Sequence, residues 1–422
     1  MSARRAGKAR GFLSRLGPGV VTGAADDDPS GIGTYSQAGA QFGYGLSWAL
    51  LFSLPFMVVI QDISAEIGSV TGRGIAANLR RHYPRPLLWS AVSLLLLANI
   101  INLGADLSAM GAVMEMLIGG RIVVYTLGFG LICLLLEMFL NYRQYSGVLK
   151  FTTLSLFTYV GVVFTVHVPW REALAGALIP HVDWTSAFAT GFVAILGTTI
   201  SPYLFFWQAA QEVEEERRSH SKPLYVAPAR AAAEMRRIRQ DTLVGMVFSN
   251  LVALFVVFAA AATLHAKGIT TIETAEQAAR ALEPVAGRFA FLLFAFGIIG
   301  TGLLAVPVLA GSAAYAVSEM AGRSASLDSK PTRARVFYGA IAATTLAGAL
   351  MQSVGVNPVR ALYWSAVING VLAAPLMAIM MLIVRNPAAM GKLTLSRKGA
   401  VLGWAATALM AAATLLFFIS LL

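Results

Sequence analysis

The stretch Gly23-Ala-Ala-Asp-Asp-Asp-Pro-Ser-Gly-Ile-Gly33 decides the fold, because it places three adjacent acids inside an otherwise apolar segment. A carboxylate at the centre of a membrane helix costs at least about 2.5 kcal/mol on insertion scales. Pro29 lacks an amide hydrogen, and Gly31 and Gly33 relax the backbone, so the stretch predicts an unwound segment between two half-helices. A bound cation would pair with an acid and with the carbonyl oxygens that unwinding frees. The alternative is a polar surface loop, with the membrane helix beginning at Ile32.

The composition indicates that this stretch belongs to a membrane protein. The 422 residues are 57% hydrophobic and 13% charged, whereas soluble globular chains carry about 25% charged residues. A soluble enzyme, a disordered protein and a nucleic-acid binder are therefore excluded. Cys133 is the single cysteine, so the chain can form no intramolecular disulfide.

Segments that are long and apolar enough to cross a bilayer recur eleven times, since about 20 apolar residues suffice for one crossing. The first and the sixth are interrupted by polar residues, glycine and proline. The predicted spans are 18–40, 46–70, 88–118, 122–140, 147–167, 186–210, 241–265, 289–318, 335–352, 358–384 and 399–421.

The basic residues predict the orientation of these spans, because cytoplasmic loops are enriched in Lys and Arg. With the N-terminus in the cytoplasm, 26 of the 32 Lys and Arg residues fall on the cytoplasmic side. The net charge of +11 is therefore a topology signal and not a nucleic-acid patch. Residues 1–16 lack the pattern of a cleaved signal peptide and are predicted to be a basic cytoplasmic tail. The C-terminus is expected outside.

A second interruption, Leu196-Gly-Thr-Thr-Ile-Ser-Pro-Tyr203, lies in the middle of span six. Two interrupted spans at matching positions of two halves are typical of an inverted-repeat transporter with its site at the membrane midplane. The alternative for this stretch is a helix that is merely kinked at Pro202. The sequence thus predicts one transmembrane transporter domain over 17–421.

Other acids lie within the predicted spans. Asp62 and Glu66 are four residues apart, so they share one helix face and would either line a cation exit path or pair with basic loops. Asp106 belongs to a polar stripe that starts at Asn99, for which helix packing and pathway lining both remain open. Glu137 lies in span four. The acids that end span six are expected to be solvated in the cytoplasm: Glu212, Glu214, Glu215 and Glu216.

Several classes of function lack their motifs in this sequence. It contains no HExxH, no CxxC and no phosphate-binding GxxxxGK[ST] motif, so the chain alone cannot drive transport with ATP. A nucleophile and base placed for membrane-embedded hydrolysis are also not evident. The five histidines all fall in loops or at span ends. We therefore expect a protein that is not an enzyme and that needs no cofactor.

Several short motifs resemble the Nramp family of divalent-metal transporters. They are Gly17-Pro-Gly19, Asp28-Pro-Ser-Gly31, Gln37-Ala-Gly-Ala-Gln-Phe-Gly43, Val70-Thr-Gly-Arg73 and Thr199-Ile-Ser-Pro-Tyr203. The resemblance implies an all-α LeuT-type fold in which two inverted five-helix repeats bind metal between the broken first and sixth helices. The repeats would cover 17–167 and 186–384, and an extra helix would cover 399–421.

The departures from the family pattern bear on the choice of metal. The family's Asp-Pro-Gly-Asn reads Asp28-Pro-Ser-Gly31 here, and its Met-Pro-His reads Ser201-Pro-Tyr203. A second family histidine, six residues after that proline, becomes Gln208. The loss of a thioether and an amide ligand is similar to the Nramp-related magnesium transporters. The resulting site would offer only oxygen ligands, which suit Mg²⁺ and Mn²⁺.

The resemblance therefore implies import of Mg²⁺, and also of Mn²⁺, across the plasma membrane as substrates. Because the interior contains few titratable residues, we predict uptake that is driven by membrane potential and is not coupled to proton movement. The rivals are a proton-coupled Mn²⁺/Fe²⁺ carrier and a cation-coupled solute symporter. The expected partners are the metal ion and the lipid bilayer, with no nucleic acid and no obligatory protein.

The expected metal site comprises Asp28, Ser30, Gly31, Thr198 and Ser201. Pathway or supporting residues are expected to be Asp27, Asp106, Tyr203, Gln208 and Asn369.

Overall fold

The computed structural model describes residues 18–139, 156–323, 325–327 and 329–422, and within these residues it is helical, without strands. The helices are α1 Pro18–Asp26, α2 Pro29–Phe42, α3 Ser47–Thr71, α4 Ile75–His82, α5 Arg85–Ile118, α6 Ile122–Phe139, α7 Phe157–Thr165, α8 Trp170–Leu178, α9 Ser186–Thr199, α10 Pro202–Arg218, α11 Ala231–Thr263, α12 Ala275–Ala279, α13 Glu283–Ala286, α14 Ala290–Ala321, α15 Arg335–Met351, α16 Pro358–Val384, α17 Pro387–Met390 and α18 Arg397–Ile419.

Nine segments in the described part of the chain are long and apolar enough to cross a membrane, when α9 and α10 are taken together. The first predicted span is not among them, because every stretch of 18 residues within α1 and α2 contains the three acids Asp26, Asp27 and Asp28. The fifth, 147–167, lies partly outside the described residues, which include 156–167 of it and in that part the helix α7. The predicted tail 1–16 also lies outside them. The prediction of an all-α membrane protein is confirmed.

The first break separates α1 from α2 within one predicted span. Asp28 is extended (φ −73°, ψ 170°) and caps α2 by accepting a hydrogen bond from the Gly31 amide. Pro29 occupies the first turn of α2, where its missing amide hydrogen leaves no helical bond unmade. The surface-loop alternative is wrong, because a helix precedes the break and Asp28 is buried.

The second break separates α9 from α10 and has the same backbone design. Ile200 and Ser201 leave the helical conformation, and Pro202 begins α10. Ser201 is extended (φ −81°, ψ 129°) but makes no side-chain cap. The predicted interruption of span six is therefore a true break and not a kink.

Glycine contacts hold both half-helices that precede a break. A Cβ at Gly23 of α1 would collide with the backbone of Gly245 in α11, and a Cβ at Gly197 of α9 would collide with Ala366 and Gly370 in α16. Small residues of this kind allow membrane helices to approach backbone to backbone. In the apolar window of α9 and α10, 94% of residues are buried, against 22% for α6. The broken helices therefore form the centre of the bundle and α6 its periphery.

Candidate metal site

Asp28 stands at the first break and is held by three hydrogen bonds. Its Oδ1 accepts from the Ser30 hydroxyl and the Gly31 amide, both at 2.7 Å. Its Oδ2 accepts from Asn102 Nδ2 at 2.9 Å and lies 3.4 Å from the Tyr203 hydroxyl. The side chain is 2% exposed. These neighbours fix the carboxylate in the interior, although none of them carries a compensating positive charge.

Asn102 of α5 joins Asp28 to a second carboxylate. Its Nδ2 also lies 3.3 Å from Asp106 Oδ2, one helical turn further along α5. Asp106 Oδ1 accepts from the Ser30 amide at 3.1 Å. Asp106 therefore faces the first break, which decides its register.

The side-chain oxygen of Asn102 is also engaged. It accepts from Asn369 Nδ2 of α16 at 2.8 Å and lies 3.2 Å from the hydroxyl oxygen of Ser30. The predicted pathway residue Asn369 thus reaches the site through Asn102 and not by direct contact with Asp28. Elements α2, α5 and α16 are in this way tied together around one amide side chain.

Gly31 and Thr198 bring the two breaks face to face. A Cβ placed on Gly31 would lie 3.2 Å from Thr198 Oγ1, and 3.4 Å from both the Asp26 carbonyl oxygen and Asp28 Oδ1. Three oxygens therefore converge beside the bare Cα of Gly31. Ser201 behaves differently, because its hydroxyl donates to the carbonyl oxygens of Gly197 or Thr198, at 3.0 and 2.9 Å. Ser201 is buried at the break but is not hydrogen-bonded to Asp28.

The other two acids of the first break point elsewhere. The Ser249 hydroxyl of α11 lies 2.7 Å from Asp26 Oδ2 and 3.1 Å from Asp27 Oδ1. Asp26 Oδ1 is buried and accepts no hydrogen bond. Asp27 is therefore placed against α11, in a position that supports the break, while Asp28 alone faces α5 and α10.

Tyr203 and Gln208 both lie on α10, but only Tyr203 touches the site. The Tyr203 hydroxyl lies 3.0 Å from the carbonyl oxygen of Ala25, which unwinding leaves free. Gln208 is bonded to the Thr22 hydroxyl of α1 and to Glu212 Oε1, the latter at 3.2 Å. Gln208 therefore joins α10 to α1 at Thr22, six residues before Asp28 in the sequence.

The charged side chains around the first break are acidic. Asp26, Asp27, Asp28 and Asp106 are each at most 4% exposed, and in the described part of the chain no ion pair reaches any of them. The described residues include no group of three or more His, Cys, Asp and Glu side chains arranged around a metal position. The groups that converge here are carboxylate, amide, hydroxyl and carbonyl oxygens. Such an arrangement is suited to holding a hard cation that keeps part of its water.

Two expectations about the acids at the span ends have different outcomes. The solvation expected for the end of span six is wrong for Glu212 and Glu214, which are 1% and 2% exposed. Arg237 of α11 forms an ion pair with Glu212 at 2.7 Å, which offsets the free-energy cost of burying the Glu212 carboxylate. For Asp62 the structure shows pairing with a basic residue, because its Oδ2 lies 3.5 Å from Arg239 Nε, although Arg239 is on α11 and not in a loop as expected.

Asn102 and Ser249 were not singled out by the sequence reasoning, although both hold acids of the first break. A signal for Asn102 exists, because Asn99, Asn102 and Asp106 recur at helical spacing on one side of an apolar helix. For Ser249 we find no signal, since a lone hydroxyl in an apolar helix commonly bonds to its own backbone.

Comparison with known proteins identifies the family. The sequence profile of natural resistance-associated macrophage protein-like (Nramp) proteins matches residues 19–420. The divalent metal cation transporter MntH of Klebsiella pneumoniae strain 342 is 26% identical over 416 residues, which cover 97% of this chain and 94% of MntH. The manganese transporter of Eremococcus coleocola superposes with a TM-score of 0.73 at 18% identity, covering 97% of this chain and 86% of the other. The nucleobase-cation-symport-1 transporter Mhp1 gives 0.58 at 14%, covering 96% of this chain and 92% of Mhp1. The fold is thus of the LeuT type, and the chain belongs to the Nramp family.

Proposed function

We propose that this protein imports Mg²⁺, and Mn²⁺ as a second substrate, across the plasma membrane as a uniporter driven by membrane potential. The observation that carries the proposal is the pairing of Asp28 and Asp106 through Asn102, inside a shell of neutral oxygen groups. Two carboxylates match the charge of one divalent ion. MntH and the Eremococcus protein are named as divalent-metal and manganese transporters, which supports the same class of substrate.

The proposed ligands are drawn from both breaks. Asp28 supplies the charge, Ser30 and Thr198 supply hydroxyl oxygens, and the backbone around Gly31 and Ser201 supplies carbonyl oxygens. None of these groups is a soft ligand such as sulfur, which would favour later transition metals. Mg²⁺ gives up its water reluctantly and is usually held by one or two carboxylates. The space beside Gly31 suits an ion that keeps part of its hydration shell.

Membrane potential alone is a sufficient driving force for such an ion. Moving one charge through 100 mV releases about 2.3 kcal/mol, so a divalent ion gains roughly 4.6 kcal/mol. At about 1.4 kcal/mol per tenfold ratio, that supports an inward accumulation of about three decades. A second coupling ion is therefore not required by the energetics.

The position of Asp106 favours a second candidate, a proton-coupled metal carrier. Asp106 lies in the site and is completely buried. A protonated carboxyl group there could release its proton when metal arrives and become a carboxylate, as buried acids do in proton relays. Against coupling, Tyr203 and Gln208 stand where the family pattern has histidines, so Asp106 would have to act without a histidine relay.

Reconstitution into liposomes separates the two candidates. Purified protein under a clamped inward-negative potential should take up Mg²⁺ with no acidification reported by an internal pH dye. Uptake without any organic solute would also exclude the solute symporter. Metal-dependent acidification that disappears in Asp106→Asn, while metal binding persists, would overturn the uniport proposal and establish the coupled carrier.

The topology belongs to the same proposal. We place the N-terminus and the tail 1–16 in the cytoplasm and the C-terminus outside, with repeats over 17–167 and 186–384 and an extra helix at 399–421. A Cys133→Ser background allows single cysteines to be placed in chosen loops. Cysteines at Ser221 and Ser329 should react with impermeant maleimide only from the cytoplasmic side, whereas one at Ser420 should react from outside.

A further inference from the structure

A cavity of about 620 Å³ lies between α3, α11 and the segment that leads into α18. It is separate from the two helix breaks, since none of the residues that line it belongs to α1, α2, α9 or α10. Three basic residues line it: Arg239, Lys392 and Lys398.

Part of the cavity wall is apolar. Val59 and Met235 belong to this wall, together with Leu243 of α11 and Leu402 of α18. These two leucines are 47% and 44% exposed and lie in segments that are long and apolar enough to cross a membrane, so we expect them to face lipid. A void of this size would forfeit the dispersion contacts of its walls, which a hydrocarbon chain restores. The cavity is therefore suited to a lipid tail.

The opposite end of the cavity is charged. Lys392 and Lys398 line it from the segment before α18 and from the first turn of that helix, and both are exposed. Basic pockets between membrane helices at the cytoplasmic face attract phosphate-bearing head groups. The combination of apolar walls and lysines points to a phospholipid and not to a free ion.

Two acids beside these lysines narrow the choice of head group. Asp62 is 9% exposed, and its Oδ2 pairs with Arg239 at 3.5 Å. Its Oδ1 is buried beside the Thr242 hydroxyl and is not open to the cavity. Glu66 lies one turn away on the same face of α3, is partly exposed and lines the cavity. A purely anionic lipid would gain nothing from the Glu66 carboxylate, whereas a cationic N–H donor would pair with it.

With the topology proposed above, we propose that this cavity binds phosphatidylethanolamine from the cytoplasmic leaflet. The phosphate lies against Lys392 and Lys398, and the ammonium donates hydrogen bonds to Glu66. The acyl chains run past Leu243 and Leu402 into the bilayer. Phosphatidylcholine carries the same phosphate but has no N–H to donate, and phosphatidylglycerol lacks the cation, so both bind more weakly.

The test is lipid binding to the purified full-length protein by native mass spectrometry, with the three lipids compared at equal chain length. The wild type should retain phosphatidylethanolamine about fivefold more than phosphatidylcholine, which is the ratio that a partly exposed ion pair provides. Glu66→Gln should reduce this ratio toward one while binding of phosphatidylcholine stays unchanged. The double variant Lys392→Ala/Lys398→Ala should reduce the retention of all three lipids to a similar extent.

Matched controls make the same charge changes outside the cavity. Glu215→Gln on α10 and Lys330→Ala in the loop before α15 should leave the lipid ratios as in the wild type. Equal retention of the three lipids by the wild type would overturn the proposal. It would also be overturned if Glu66→Gln removed a bound Mn²⁺ without changing lipid retention, because the acids would then serve a cation path.

Discussion

The two helix breaks share one backbone design but differ in charge. In each, a proline begins the second half-helix after two non-helical residues, and glycine packs the first half-helix against a neighbour. The first break carries three carboxylates, whereas the second carries none. Asp28 turns toward α5 and α10, while the Ser201 hydroxyl turns back to the carbonyl oxygens of its own helix. The same local geometry therefore serves two different tasks.

This difference indicates how the work is divided between the breaks. The carboxylate of the first break supplies charge that only a cation can compensate in the interior. The second break supplies neutral oxygens and sets the space that remains beside Gly31. We expect that substitutions at the first break abolish transport, and that substitutions at the second change selectivity or rate.

The largest effect is expected for Asp28→Asn and Asp28→Ala. Both remove the charge that holds the ion, and neither should impair folding, because removing one of three adjacent acids lowers the cost of membrane insertion. Uptake of Mg²⁺ and Mn²⁺ into liposomes should fall to the level of protein-free vesicles. The amount of monodisperse protein should stay close to that of the wild type.

Asp27→Asn is the matched control, because it removes the same charge from a side chain that contacts Ser249 and not Asn102. It should retain measurable uptake. If Asp28→Ala transported metal normally, or if Asp27→Asn were the more damaging change, the central role of Asp28 would be wrong.

The next largest effect is expected for Asn102→Ala. Asn102 orients Asp28 and Asp106 with one amide group, and loss of a residue that positions a ligand typically costs 10–100-fold in metal affinity. Isothermal titration with Mn²⁺ should show this loss. Asn99→Ala is the control, because Asn99 lies on the same helix but donates to the Leu309 carbonyl oxygen, at 2.9 Å. An equal loss in both variants would mean that α5 acts only through packing.

The breaks themselves were predictable from the sequence, and the division of roles among the acids was not. Proline and glycine affect the backbone at their own position, so Pro29 and Pro202 predict a helix break whatever the tertiary contacts are. Which of Asp26, Asp27 and Asp28 faces the site depends on helices more than 70 residues away, through Asn102 and Ser249. The burial of Glu212 depends likewise on Arg237, which is on another helix. Contacts of this kind have no local signature.

A selectivity change of intermediate size is expected for Gly31→Asn combined with Ser201→Met. A side chain at Gly31 must project among Thr198 Oγ1, the Asp26 carbonyl oxygen and Asp28 Oδ1, where it displaces water that Mg²⁺ is reluctant to lose. The thioether favours softer ions. Competition of Cd²⁺ and Mn²⁺ against Mg²⁺ uptake should rise several-fold. Unchanged discrimination between Mg²⁺ and Cd²⁺ would place selectivity elsewhere in the protein.

The smallest effect is expected for Ser201→Ala. The hydroxyl donates to carbonyl oxygens at the end of α9, so its loss costs one ordinary hydrogen bond of about 0.5–1.5 kcal/mol. Even if all of that free energy came from metal binding, the affinity would fall by about tenfold at most, and we expect less than fivefold.

Thr198→Val is the informative partner, since Thr198 Oγ1 faces Gly31 directly and its removal should weaken Mn²⁺ binding more than Ser201→Ala does. Mn²⁺ titration of both variants measures the difference. If Ser201→Ala proved as damaging as Asp28→Asn, the second break would hold the ion as firmly as the first, and the division of roles between the breaks would have to be abandoned.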